Sequence, residues 1–265
     1  MSYLFDPDNW EWLWTGNNAR FILEGFLINL EIAVISIIFA LIVGLALALL
    51  RLSTVKPVSF LAGAWVDLFR NLPLIFLILY FALGLPKSWK DAWEDAMPSW
   101  APEAFQSGLV LGAFMGLILY NSAVLAEIMR AGILSLPKGQ GEAASALGMT
   151  RRQALRYVIL PQGLRRMVPA TVSQLITLNK DTTLVSIIAI TEVMRRGRIV
   201  TSSGFFQEVT APILQVFIFI GILFVIVNYL LSRLSRRLEI RERKITGTKL
   251  KRVRGLEDQV GVDPV

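Results

Sequence analysis

The residues able to do chemistry are few, and most sit where charge is costly. The chain has no Cys and no His, which removes disulfides, thiol nucleophiles, imidazole bases and Cys/His metal sites. What remains is charge inside apolar stretches. Asp67 and Arg70 interrupt the apolar segment 58–85, and Lys180 and Asp181 interrupt 167–191. Asp67 and Arg70 are three apart, so on a helix they share a face and can pair. Lys180 and Asp181 are neighbours, which do not face each other on a helix, so each needs its own partner or the helix breaks there. Glu31, Glu127 and a ligand carboxylate are candidate partners for Lys180. Asn121, Ser122, Gln174, Thr177 and Asn179 add hydrogen-bonding groups, which also serve as contacts between helices in membranes. Ionisable groups in such segments mark a path, a gate or a structural ion pair. No paired carboxylates and no Ser–Lys dyad point to an intramembrane enzyme. No G-x-x-x-x-G-K-[ST] phosphate loop is present either: Lys138-Gly139 has the wrong order and Gly247-Thr248-Lys249 lacks the pattern.

The elements that must position these residues are apolar helices. The chain has 265 residues, 54% of them hydrophobic and 18% charged, with a net charge of +7. That composition is too apolar for an ordinary soluble domain. Uncharged runs at 33–50 (beginning near Phe26), 106–126 and 209–232 are long enough to cross a bilayer as helices. The two interrupted segments, 58–85 and 167–191, are expected to cross as well, giving five spans. Continuous apolar runs, rather than short alternating ones, argue for helices and against a barrel. The N-terminus has Asp6, Asp8 and Glu11 but no basic residue before Arg20, so it does not read as a signal peptide.

With five spans, 19 Lys and Arg residues fall on one side and 6 on the other. The positive-inside rule then places the N-terminus outside and the C-terminus in the cytoplasm. The cluster Arg195, Arg196 and Arg198 runs against this bias, so 191–208 is an external loop or a packed re-entrant element. Trp10, Trp12 and Trp14, with Trp89, Trp93 and Trp100, fall on the external side. They suit an interfacial aromatic belt or a docking surface. Three regions result: an external segment 1–20, a transmembrane domain 21–235, and a basic tail 236–265. Past Arg236 the tail is expected to form a surface helix that frays near Gly255.

The loop 137–166 has its own helical grammar. Pro137 suits a first helical position, and Gly148 is placed like a C-terminal cap. Thr150 with Gln153 reads as a capping box opening a second helix, which Pro161 is expected to stop. Ala143, Ala144 and Ala146 permit close backbone approach. Two short helices hinged at a glycine form a knob able to enter a groove on another protein.

Here a family resemblance enters. Glu142-Ala143-Ala144, Gly148 six positions later, and Val158-Ile159-Leu160-Pro161 resemble the EAA loop of ABC importer permeases, with Val158 where the family prefers Ile. Residues 126–133 with Pro137-Lys138-Gly139-Gln140 resemble the polar-amino-acid branch. So do Phe69-Arg70-Asn71-Leu72-Pro73-Leu74 and Lys180-Asp181-Thr182-Thr183-Leu184, although that branch usually has Thr or Gly at position 72 and often Ser at 183. The resemblance covers roughly residues 25–235. It implies an all-α, polytopic type I importer permease (MetI-like) fold and a transport subunit rather than an enzyme, in a prokaryotic inner or plasma membrane. It also implies a second permease subunit as homo- or heterodimer, an external solute-binding protein, and a cytoplasmic ABC ATPase dimer that carries the ATP and Mg. No cofactor or metal is expected on this chain, and no nucleic acid as partner. The coupling residues it implies are Glu142, Ala143, Ala144, Gly148, Leu160 and Pro161. Asp67, Arg70, Asn121, Glu127, Lys180 and Asp181 are candidates for the substrate path or gate. A permease for another small polar solute shares this pattern. An ion-coupled secondary transporter using Asp67, Lys180 and Asp181 is the alternative of another class, though no internal repeat typical of such folds is visible.

Overall fold

The computed structural model describes residues 2–202 and 211–246 and is all-helical among them. A short N-terminal helix α1 (Ser2–Phe5) and a 3-10 turn (Pro7–Leu13) lead into α2 (Asn18–Arg51), followed by α3 (Lys56–Asn71) and α4 (Leu74–Gly84). Two short helices, α5 (Lys87–Ala96) and α6 (Glu103–Gln106), precede α7 (Leu109–Leu134). The loop holds α8 (Gly139–Ala146) and α9 (Arg151–Ala154), then α10 (Leu160–Asp181), α11 (Val193–Ser202) and α12 (Ile213–Thr246).

Among the described residues, three helices are long and apolar enough to cross a membrane: Asn18–Arg51, Leu109–Leu134 and Ile213–Arg241. The segment expected as one span over 58–85 is instead a bent pair, α3 and α4, meeting at 98°; counted together they make a fourth. Proline is the cause. Leu72 precedes Pro73 and is driven to extended backbone, with ψ at 139°. Pro73 then starts α4 without needing an N–H donor. The fifth expected span also differs. Its helix, α10, ends at Asp181 and passes into a 3-10 turn over Thr182–Ile188. With Arg165, Arg166, Lys180 and Asp181 among polar neighbours in its 22 residues, α10 is long enough to cross but less apolar than the three spanning helices.

The bundle centres on α7, which packs against α2, α3, α4 and α10. Close approach is built into its sequence. Gly112 and Gly116 are four apart, hence on one face, and a methyl group on Gly112 would lie 2.3 Å from the Ala82 backbone of α4. Small residues at this spacing let helix backbones touch, which suits packing where no hydrophobic force separates helix from lipid. Val110, Ala113, Leu117 and Leu125 of α7 join Ile32, Ile37 and Ala40 of α2 and Ile78 and Ala82 of α4 in the main core.

A second core joins the N-terminal 3-10 turn to α2, α11 and the start of α12. Trp12 is 1% exposed and meets Phe219 edge-on at 5.8 Å; with it pack Ile22 and Phe26 of α2, Val193 and Val200 of α11, and Val216 and Ile220 of α12. The six tryptophans therefore do not act as one belt: Trp12 is core, and Trp93 donates to the Phe105 carbonyl. Trp14, Trp89 and Trp100 are exposed. Of the stretch 191–208, the part up to Ser202 is a packed element, since Val193, Gly197 and Val200 of α11 are buried against α2 and α12; 203–208 lie outside the described residues.

The last helix is longer than expected. It runs unbroken from Ile213 to Thr246, so Arg233, Arg236, Arg237 and Arg241 continue the spanning helix instead of starting a separate surface one. The expected start at Val209, and Lys249, Lys251, Arg252 and Arg254 of the tail, lie outside the described residues.

Candidate functional site

The loop between α7 and α10 folds as its residues dictate. Helix α8 closes with Gly148 in the left-handed region, φ 76°. The N–H of Gly148 bonds the Ser145 carbonyl at 3.0 Å and that of Met149 the Ala144 carbonyl at 3.1 Å, the paired bonds of a Schellman cap. Two residues on, the Gln153 N–H donates to Thr150 Oγ1 at 3.3 Å and the Thr150 N–H to Gln153 Oε1 at 2.8 Å. The capping box read from Thr150 and Gln153 is thus present. One expectation fails: Pro161 does not stop this helix. The chain turns through a π segment over Leu155–Ile159, with the Leu160 N–H bonding the Leu155 carbonyl, and continues as α10. The wider turn accommodates the donor that Pro161 lacks.

The knob is tied to the bundle at its base. Gln162 Nε2 donates to Gln140 Oε1 at 3.1 Å, and Arg166 donates to the Ser135 carbonyl at 2.8 Å. Of the residues singled out in the loop, Glu142, Ala143, Gly148 and Pro161 are exposed and Leu160 is half-buried. Ala144 is 3% exposed, so it packs α8 onto its own chain. Leu147 is 79% exposed. Sequence reading passed over it, although an apolar residue just before the cap glycine was visible.

The charged residues fall into separate places. Asp67 and Arg70 share a helix face but do not pair with each other. Arg51 and Arg130 hold the Glu127 carboxylate, the latter at 2.9 Å, and Arg70 stands 4.0 Å from it. Asp67 lies 4.0 Å from Arg51. The longer reach across α2, α3 and α7 wins because Glu127 offers a single acceptor that three guanidinium groups can share. Arg51 and Arg130 were not singled out by the sequence, since each sits near the end of an apolar run and reads as a topological charge.

Midway along α7, Asn121 accepts from Gln174 Nε2 at 2.8 Å, and Asn179 donates to Asn228 of α12 at 3.1 Å. These amides cross-link α7, α10 and α12. Lys180 is exposed, Asp181 is half-buried, and neither reaches the Glu127 cluster. Among the described residues Lys180 has no ion pair, so neither Glu31 nor Glu127 is its partner.

A further polar node escaped sequence reading. Asn29 Nδ2 donates to Thr182 Oγ1 at 3.0 Å and to Glu192 Oε2 at 2.9 Å, and Asn29 Oδ1 accepts from the Val193 N–H at 3.0 Å. Glu192 Oε1 accepts from the Arg195 N–H at 2.9 Å, so the carboxylate caps α11. Glu192 lies in the break between α10 and α11. Burial pushes its carboxyl above the ordinary range, against the hydrogen bonds from the Met194 backbone, the Asn29 side chain and the Arg195 backbone, which favour the charged form.

Apolar helices long enough to span a bilayer, packed around a glycine-bearing α7 and joined by a capped two-helix knob, are the architecture of a polytopic membrane protein. The chain belongs to the family of binding-protein-dependent transport system inner membrane components, whose pattern residues 36–241 match. Members of this family are transport subunits of ABC importers and not enzymes. The chain is 36% identical over 225 residues to the probable glutamine ABC transporter permease protein GlnP of Bacillus subtilis, covering 85% of this chain and 95% of that one. It is 35% identical over 175 residues to the glutamate/aspartate import permease protein GltK of Escherichia coli, covering 66% and 75%. Among solved structures it is similar to an amino acid ABC transporter crystallised with histidines, with TM-score 0.68, 27% identity, and coverage of 84% of this chain and 94% of that one. An inward-facing methionine ABC transporter, MetNI, shares the fold at TM-score 0.65 and 20% identity, with coverage of 84% and 97%.

Proposed function

We propose that this importer permease translocates polar amino acids, with α8 as the helix that receives force from a cytoplasmic ABC ATPase dimer. The observation that carries the coupling role is the knob itself. Its rigid Schellman cap and capping box present Glu142, Ala143, Leu147 and Gly148 outward, while Ala144 and the Gln140–Gln162 bond fix its base. The glutamine and glutamate/aspartate permeases named above support the substrate class. ATP and Mg belong to the ATPase, the substrate arrives on an external solute-binding protein, and a second permease subunit completes the path.

With α10 taken as a fifth crossing beside α2, the α3–α4 pair, α7 and α12, the 19 to 6 bias of basic residues puts the N-terminus outside and the C-terminus in the cytoplasm. Ser173, Thr177 and Lys180 form an exposed stripe at helical spacing on α10, which we assign, with Asp181, to the seam with the second permease and the substrate path. Asn121 bridges to that helix from α7. The Glu127 cluster, with Asp67 and Arg70, fastens the bent α3–α4 pair to α7 and acts as a gate rather than a substrate contact.

The test is reconstitution with the cognate ATPase and binding protein. ATP-dependent uptake of glutamine, glutamate or aspartate is expected, and Glu142→Lys should lower it at least tenfold while releasing the ATPase on purification. Wild-type uptake and ATPase retention by Glu142→Lys would remove α8 from the coupling role. Uptake driven by an ion gradient without ATP would overturn the importer reading.

A further inference from the structure

A cavity of about 510 Å³ opens between α10 and α12, within the size range of ligand pockets. Its lining is graded. One end is apolar, formed by Ile176 and Val225; the other holds Tyr229, Ser232, Arg233 and Arg236. Asn228 lies between them, its side-chain oxygen taken by Asn179. Arg233 Nε donates to the Tyr229 hydroxyl at 2.9 Å, with the guanidinium 5.2 Å from the ring centre. That bond fixes the guanidinium and leaves its two terminal nitrogens as donors. Neither Arg233 nor Arg236 pairs with a carboxylate among the described residues, and no carboxylate lines the cavity.

Depth matters as much as chemistry. Ser235 Oγ donates to the Pro169 carbonyl at 3.0 Å, so this part of α12 lies beside α10 nine residues from its start at Leu160. Arg233 and Arg236 flank that contact, and their long side chains can snorkel toward the membrane surface. On the apolar side, Ile222, Val225, Ile226 and Leu230 are 46–67% exposed along α12.

We propose that this cavity holds an anionic phospholipid, its headgroup phosphate between Arg233 and Arg236 and an acyl chain along Ile176 and Val225. A zwitterionic amino acid fits poorly, because its ammonium group would find no carboxylate. An amphiphile with one anionic end matches the grading from apolar to cationic, and basic pockets between membrane helices select such headgroups. The leaflet is the cytoplasmic one, a detail that rests on the orientation proposed above; the binding itself does not depend on it.

The test uses the permease assembled with its ATPase, equilibrated with phosphatidylglycerol or phosphatidylcholine of matched chains, and read by native mass spectrometry. Retention of phosphatidylglycerol over phosphatidylcholine is expected. The double variant Arg233→Gln/Arg236→Gln should lose it by roughly 10- to 30-fold, at about fivefold per basic residue. Ile176→Trp, which fills the apolar end and keeps both arginines, should also weaken retention. Arg237→Gln, outside the cavity, should leave it unchanged. Excess inorganic phosphate should not displace the lipid, since it lacks the chain. The proposal is overturned if the double variant retains phosphatidylglycerol as the wild type does, if Arg237→Gln loses as much, or if inorganic phosphate competes fully. Uptake assays are not part of this readout, so failure here leaves the transport reading standing.

Discussion

At the scale of single residues, Glu192 has an environment that makes its charge conditional. It is fully buried and accepts hydrogen bonds from Asn29 and the Arg195 backbone, yet burial outweighs them and raises its pKa. A carboxyl whose pKa is higher in the folded than in the unfolded state contributes most to stability below the unfolded value. That contribution is lost as pH rises through the folded value. Glu192→Gln keeps the side chain's size and one acceptor but has no proton to lose. The melting temperature of Glu192→Gln in detergent should therefore lie nearest wild type below about pH 4, where the unfolded carboxyl is protonated too, and gain on it as pH rises from there. A gap that stays constant with pH would remove the carboxyl from this role. The Glu127 cluster is organised differently, since three arginines surround its carboxylate.

At the scale of elements, the loop helix α8 depends on one backbone geometry. Gly148 has φ 76°, and a methyl group added there would meet nothing within 4 Å. The cost of Gly148→Ala is therefore backbone strain alone, about 1–2 kcal/mol. Because the strain falls on the knob and not on the bundle, ATP-driven uptake should drop severalfold while the melting temperature of the bundle shifts little. Equal losses in both would mean that the cap stabilises the whole fold rather than aiming α8. The α3–α4 bend has a comparably local cause in Leu72 and Pro73, but its packing against α7 makes it part of the core.

At the scale of the whole molecule, the absence of Cys makes the orientation directly testable. Trp100→Cys, at a residue 85% exposed, should react with a membrane-impermeant maleimide in intact cells. Ala146→Cys, exposed on α8, should react only after permeabilisation. The reverse pattern would invert the topology and, with it, the leaflet assigned to the α10–α12 cavity.

Much was legible from sequence because it is local. Apolar run length identified α2, α7 and α12, since crossing a bilayer demands a minimum length whatever the neighbours. The Gly148 cap and the Thr150–Gln153 box were readable because capping satisfies backbone groups within a few residues of the signal. The family pattern was likewise carried by contiguous residues around Glu142 and Pro161. Tertiary structure alone decided what depends on residues far apart in the chain. It chose Arg51 and Arg130 over Arg70 as the close partners of Glu127, joined Asn29 to Glu192 across 163 positions, and turned Ala144 inward. It carried the helix through Pro161 and laid Arg233 and Arg236 beside α10. Side-chain pairing in a low-dielectric bundle is settled by which helices touch and at what depth, and a one-dimensional spacing does not encode that.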